Sequence, residues 1–244
     1  MKKIAIITAR GGSKRIPKKN IKDFLGKPII CYSIEAALNS KIFDEVMVST
    51  DSDEISEIAK QAGAKVPFMR SDNTSNDYAT TADVLLEVLQ KYEELGFCFD
   101  YACCIYPTAP FVTSQKLRDA MNILIDSDAT DVMPVTEFSF PPQRSVFIRD
   151  GNVIPVYPEY QQCRSQDLEP IYHDAGQFYC LDVSTFMPKS DQLPERKIKP
   201  IIVSELEVQD IDNFSDWEIA EMKYELMKKR ENTAENAVKT AEFI

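Results

Sequence analysis

Residues 9–20, Ala9-Arg10-Gly11-Gly12-Ser13-Lys14-Arg15-Ile16-Pro17-Lys18-Lys19-Asn20, bring two glycines, a hydroxyl and five basic side chains together directly after the apolar run Ile4-Ala5-Ile6-Ile7. Glycine allows backbone conformations closed to other residues, so successive amide N–H groups can point at an anion, while Arg10 offers a planar fork and Lys14 or Lys19 a mobile point charge. The pattern is that of a phosphate cradle. It matches neither Gly-x-x-x-x-Gly-Lys-Ser/Thr nor Gly-x-Gly-x-x-Gly, the two familiar nucleotide loops. Far along the chain, Asp210 and Asp212 flank Ile211. In an extended segment both carboxylates point one way and Ile211 points to the core. Two adjacent carboxylates repel unless a cation lies between them, and Mg2+ takes one or two carboxylates together with substrate phosphates.

Composition narrows the chemistry further. The net charge is -11, so five cations in one loop require an anionic partner, while the acidic balance argues against a general nucleic-acid binder. His173 is the single histidine, which removes zinc sites and triads built on several histidines and leaves a carboxylate or a metal-bound water as general base. The six cysteines include no Cys-x-x-Cys pair and are expected to be reduced, mostly buried thiols. No apolar run approaches the length needed to span a bilayer, and the signal-like opening breaks at Arg10, so the expected location is cytoplasmic.

The elements that must hold these residues alternate. Strands are expected at residues 4–8, 45–51, 65–68, 99–105, 131–135 and 198–203, and residues 174–181 are expected to resume the sheet. Helices are expected after Pro28, from Ser52 or Asp53 to Gly63, from Thr80 or Thr81, over 114–127, and from Ser215 or Asp216 to about Arg230. This rhythm predicts an α/β fold with a mostly parallel sheet, whose ligands sit outside the carboxyl ends of the strands, where Arg10, Asp51 and Tyr106 fall. The core is expected at 1–137 and 175–230. Residues 138–174 break the rhythm with prolines and aromatics and are expected to form a protruding, hairpin-rich insertion that buries its aromatics against a second subunit. Residues 231–244 are expected to be a loose tail.

Ala9 to Lys14 with Lys19-Asn20, Ser49-Thr50-Asp51, Tyr106-Pro107-Thr108-Ala109-Pro110 and Gln209-Asp210-Ile211-Asp212, in this order and spacing, resemble the cytidylyltransferases that make CMP-sialic acids. The resemblance spans residues 3–228. It implies a Rossmann-like nucleotidyltransferase with a dimerisation insertion, which couples CTP to a nonulosonic acid and releases pyrophosphate. It further implies that Arg10 and Lys19 grip the triphosphate and that Ala9, Gly11, Gly12, Ser13, Lys14, Asn20, Arg70, Asp77 and Thr81 surround the nucleotide. Asp210 and Asp212 would carry Mg2+, and Asp210 is a candidate for taking the sugar proton. Tyr106, Gln177 and Phe178 would face the sugar, with Arg144 and Arg164 contributed across a homodimer. N-acetylneuraminate enzymes of the family carry Gln where this chain has Tyr106, and Arg-Pro-Asn-Gly where it has His173-Asp174-Ala175-Gly176. These departures look closest to the pseudaminic acid branch. N-acetylneuraminate or deoxy-octulosonate remain as alternative sugars, and a non-catalytic nucleotide-binding regulator as an alternative class.

Overall fold

In the computed structural model, which describes residues 1–188 and 195–241, the opening apolar run forms β1 (Lys3–Thr8). There follow a small ribbon, β2 (Asp23–Phe24) and β3 (Lys27–Pro28), then α1 (Ile30–Ser40), β4 (Glu45–Ser49), α2 (Asp53–Gln61), the one-turn α3 (Asp72–Ser75) and α4 (Thr81–Glu94). Next come β5 (Tyr101–Ile105), α5 (Ser114–Asp126), β6 (Asp131–Glu137), β7 (Val146–Arg149) and β8 (Asn152–Pro155). The chain ends with β9 (Tyr172–Asp174), β10 (Phe178–Asp182), α6 (Val183–Phe186), β11 (Ile198–Ile202) and α7 (Phe214–Ala241).

A strand with four consecutive apolar residues, as β1 has at residues 4–7, is stable only where both faces are covered. In β1, Ala5 and Ile7 enter one core with α1, α2 and α5, whereas Ile4 and Ile6 enter a second core with α4. The seven-stranded sheet has the order β11-β6-β10-β5-β1-β4, with β9 on β6. β4, β1, β5, β6 and β11 run the same way, while β9 and β10 are reversed. The reversal follows from the insertion, which leaves the carboxyl end of β6 and returns at that same end, so the next strand must run downward. The sheet is mostly parallel, as expected, and the returning chain delivers residues 174–177 to the edge where ligands bind.

Several local expectations are corrected. Residues 65–68 form a single bridge, Lys65 with Met47, and no strand, because Pro67 has no N–H with which to continue the ladder. Pro28 lies in β3 rather than in the first turn of a helix. The last helix continues past Arg230 to Ala241, so of the expected tail only 242–244 remain, outside the described residues. Residues 231–241 contain Ala, Glu and Lys but no Gly or Pro, and extending an existing helix is easy compared with nucleating one. α7 is capped by Asn213, whose Oδ1 accepts from the Asp216 amide, while Asp216 Oδ2 accepts from the Asp212 and Asn213 amides.

Within 138–174, β7 and β8 form the expected hairpin around Asp150-Gly151, both with positive φ. Phe140 and Ile148 are 86% and 78% exposed there. Tyr172–Asp174, placed in the insertion by sequence, instead pair with β6 in the main sheet.

A third core lies under the carboxyl edge and joins Phe24, Tyr32, Phe111, Trp217 and Ala220 to Ile16 and Ile211. Phe24 meets Tyr32 and Trp217 edge to face, each at 5.4 Å. This cluster fastens α7 to the ribbon, and Trp217→Ala is expected to lower stability by about 3–5 kcal/mol in denaturant titration.

Candidate active site

The loop after β1 is drawn inward by backbone and side-chain hydrogen bonds. The Ala9 amide donates to Ser49 O (2.9 Å), and the buried Asn20 donates from Nδ2 to Arg10 O (2.9 Å). The Gly11 amide donates to Asp51 Oδ1 (2.7 Å), which ties the loop to the end of β4. Neither Gly11 nor Gly12 has a positive φ, so the expected reliance on conformations closed to other residues is corrected. Gly11 allows close approach, since a Cβ there would lie 3.1 Å from Cβ of Ser52, the N-cap of α2, which would have to give way by a few tenths of an ångström. At Gly12 a Cβ would meet nothing within 4 Å.

Four of the five loop cations converge on a cavity of about 450 Å3 that is also lined by Ser13, Asn20, Asp77 and Tyr106. Arg10 Nη1 reaches Asp77 Oδ1 (2.8 Å) and Asn76 O (3.3 Å), and Lys14 Nζ reaches Asp77 Oδ2 (2.5 Å). Hydrogen bonds from Lys14 and Arg10 hold the Asp77 carboxyl below its usual range. On the other wall, Arg15 Nη1 meets Asp212 Oδ2 (2.5 Å), while Lys19 Nζ donates to Ile211 O (2.6 Å) and stands 3.8 Å from Asp212. Burial pushes the Lys19 ammonium down, opposed by Asp212 and Asp210. Lys18, the fifth cation, turns away to Glu54 (2.6 Å).

A side chamber of about 240 Å3 is lined by Arg10, Arg70, Asp77, Thr80 and Thr81. The buried Arg70 guanidinium donates to Ser49 Oγ (3.0 Å) and Ser49 O (2.7 Å), and its burial lowers its pKa against the pull of Asp51. Thr81 Oγ1 lies 3.4 Å from the Tyr106 hydroxyl. Of the residues expected around a nucleotide, Arg10, Ser13, Lys14, Lys19, Asn20, Arg70, Asp77 and Thr81 line these two cavities; Gly11 and Gly12 line neither, and Ala9 is buried.

A second cavity, of about 520 Å3, adjoins the first across Tyr106 and Thr108 and contains His173, Asp174, Asp210 and Lys223. Asp210 is exposed, Ile211 is 1% exposed and Asp212 is half-buried, the alternation expected of an extended segment. Among the described residues no cluster of three or more potential ligands could hold a metal. Asp210 and Asp212 can supply two carboxylates, and the remaining ligands would come from phosphate and water, a donor set that suits Mg2+.

The expected sugar residues divide. Tyr106 borders both cavities. Phe178 is 0% exposed in the main core and has no surface for a sugar, because alternation in β10 turns it inward; that expectation is corrected. Gln177 is 3% exposed and donates to Glu207 O (2.5 Å), so it ties β10 to the segment carrying the aspartates. Arg144 and Arg164 bond Ser165 and Asp167 within the insertion and line neither cavity. Asp174, part of the sequence departure but assigned no role there, lines the second cavity, and Glu205 and Lys223 line it without having been singled out in the sequence. Asp174 accepts from the Tyr179 hydroxyl (2.6 Å) and the Gly176 amide (2.7 Å). Lys223 reaches the cavity from the middle of α7, and in sequence it is one lysine among several on an amphipathic helix.

Residues 4–146 match the family described as Cytidylyltransferase. The chain is 42% identical over 227 residues to the pseudaminic acid cytidylyltransferase of Campylobacter jejuni serotype O:2, covering 93% of this chain and 97% of that one. It is 35% identical over 235 residues to the CMP-N,N'-diacetyllegionaminic acid synthase of Legionella pneumophila, covering 93% and 97%. Among solved structures, the CMP:2-keto-3-deoxy-manno-octonic acid synthetase complexed with CTP is similar with a TM-score of 0.68, at 21% identity and over 94% of this chain and 100% of that one. At that identity the likeness concerns the fold.

The turn leading to Asp77 is held by Glu87, which accepts from Ser71 and Lys91 as well as from Thr74. Burial would raise the Glu87 pKa, but the hydrogen bonds from Lys91, Thr74 and Ser71 outweigh it and bring it from 4.5 to about 2. A folded-state pKa depressed in this way contributes stability that is complete above the unfolded value and lost as pH falls toward about 2. Glu87→Gln is expected to flatten that acid limb in melting temperatures recorded between pH 5 and 2.

Proposed function

The chain belongs to the cytidylyltransferase family, and from that premise we propose that it couples CTP to a nonulosonic acid, pseudaminic acid above others, releasing pyrophosphate. The observation that carries this reading is the junction of the two cavities. A cation-lined pocket meets a carboxylate-lined cavity across Tyr106 and Thr108; Asp210 lines the second cavity, and Asp212 is paired with Arg15 and Lys19 of the first.

In the proposed reaction the anomeric hydroxyl of the sugar acid attacks the α-phosphorus of CTP, the bond from that phosphorus to the bridging oxygen breaks, and pyrophosphate leaves. Arg10, Lys14 and Lys19 hold the triphosphate and offset the charge that builds on the departing pyrophosphate, the largest contribution to be expected in such a transfer. Arg70 and Thr81 border the side chamber for the rest of the nucleotide. Asp210, exposed on the sugar side, accepts the proton of the attacking hydroxyl. Asp210 and Asp212 would hold Mg2+, which supplies neutralisation of phosphate charge when bound. Tyr106 orients the sugar at the junction.

The test is pyrophosphate release from each nucleoside triphosphate with pseudaminate, N-acetylneuraminate and deoxy-octulosonate. CTP with pseudaminate is expected to be fastest, and CTP binding without release on any sugar acid would favour a non-catalytic regulator. Arg10→Ala and Asp212→Asn are each expected to reduce Mg2+-dependent release by about a hundredfold or more. Near-normal turnover in both would overturn the assignment.

The apolar residues of the insertion are proposed to pack against a second copy of this chain in a homodimer, where Arg144 and Arg164 would face the neighbour's sugar cavity. Ile148→Asp is expected to shift the sedimentation coefficient to that of a monomer.

A further inference from the structure

The sugar-side cavity is lined by three carboxylates, Asp174, Glu205 and Asp210. A sugar acid brings a fourth, and with the Mg2+ proposed on Asp210 and Asp212 serving the phosphates, a side-chain cation beside the sugar's own carboxylate favours its binding. Among the described residues the lining contains a single Lys or Arg, Lys223. The cations of the phosphate loop line the other cavity, where Asp77 and Asp212 engage them.

We propose that Lys223 receives the carboxylate of the sugar acid and makes the site select acids over neutral sugars; this rests on the coupling proposed above. Lys223 is half-buried on α7, on a helix fixed by Trp217, Ala220 and Met227 in the third core. Its Nζ donates to Val208 O (2.7 Å) and Glu205 O (3.2 Å) and makes no ion pair among the described residues. An ammonium has three donors, so one remains for a ligand, and the two carbonyls hold it in place so that little side-chain freedom is lost on binding. Those same carbonyls precede Asp210 in the chain. The cation for the sugar's carboxylate and the aspartate for its hydroxyl are therefore set by one short segment.

The experiment compares an unreactive sugar-acid analogue lacking the anomeric hydroxyl with its carboxamide, each as a competitive inhibitor of pyrophosphate release. In the unaltered enzyme the acid is expected to bind about tenfold to a hundredfold more tightly than the carboxamide, the range of a charge-assisted hydrogen bond. Lys223→Gln is expected to bring the two close to parity, Lys223→Arg to keep most of the preference, and KM for CTP to change by no more than about twofold, since the lysine lies outside the phosphate pocket. Lys223→Met serves as the truncation if Lys223→Gln does not fold. An undiminished preference for the acid in the truncated variant would overturn the inference. So would equal weakening of acid and carboxamide, which is what loss of the carbonyl contacts alone would produce. If the unaltered enzyme turns over no sugar acid, the proposed coupling fails and this inference with it; turnover with the preference intact in Lys223→Gln removes only the role of Lys223.

Discussion

Ile16 and Ile211 come from opposite ends of the chain and are buried in the same aromatic cluster, with Phe24, Phe111 and Trp217 between and around them. Ile16 sits amid the loop cations, and Ile211 sits between the two aspartates. Burying each isoleucine is worth about 1.5–3 kcal/mol, whereas an exposed ion pair such as Arg15 with Asp212 contributes at most about 1 kcal/mol. The apolar contact therefore holds the oppositely charged segments face to face, and the ion pairs refine an approach that the core has already made. The same cluster anchors α7, which carries Lys223 to the neighbouring cavity.

Charge in this acidic protein is organised by pairing. Asp77 engages Arg10 and Lys14, and Asp212 engages Arg15 and Lys19, so the loop cations are already ordered. A polyphosphate meets a preset array and loses less to side-chain ordering than it would with free lysines. Burial beneath Lys19 and Arg70 lowers the dielectric around their charges, which strengthens any anion contact they make.

The second cavity depends on the direction of one strand. Because β10 runs against its neighbours, the turn from Asp174 to Gln177 arrives at the carboxyl edge beside Tyr106, whose amide donates to Gln177 O (2.9 Å). Gln177 in turn donates to Glu207 O, so the turn from Asp174 to Gln177, the Tyr106 loop and the aspartate segment form one connected unit. A parallel strand in that position would carry the turn to the opposite edge of the sheet.

What sequence alone determined here was local and periodic. The continuous apolar run of β1, the helical spacing of α4 and α5 and the alternation across Asp210-Ile211-Asp212 each specify their own geometry through side-chain type and backbone period, and all appear as expected, while the loop after β1 gathers four of its five cations without the glycine conformations expected of it. Only the tertiary structure decided what depends on contact between distant segments. It placed Phe178 in the core and Gln177 behind the site, reduced residues 65–68 to one bridge, turned Lys18 away to Glu54, and brought Asp174 and Lys223 into one cavity. Periodicity tells which side of an element is buried, but the partner on that side is set by strand order and helix packing, which no short stretch of sequence contains.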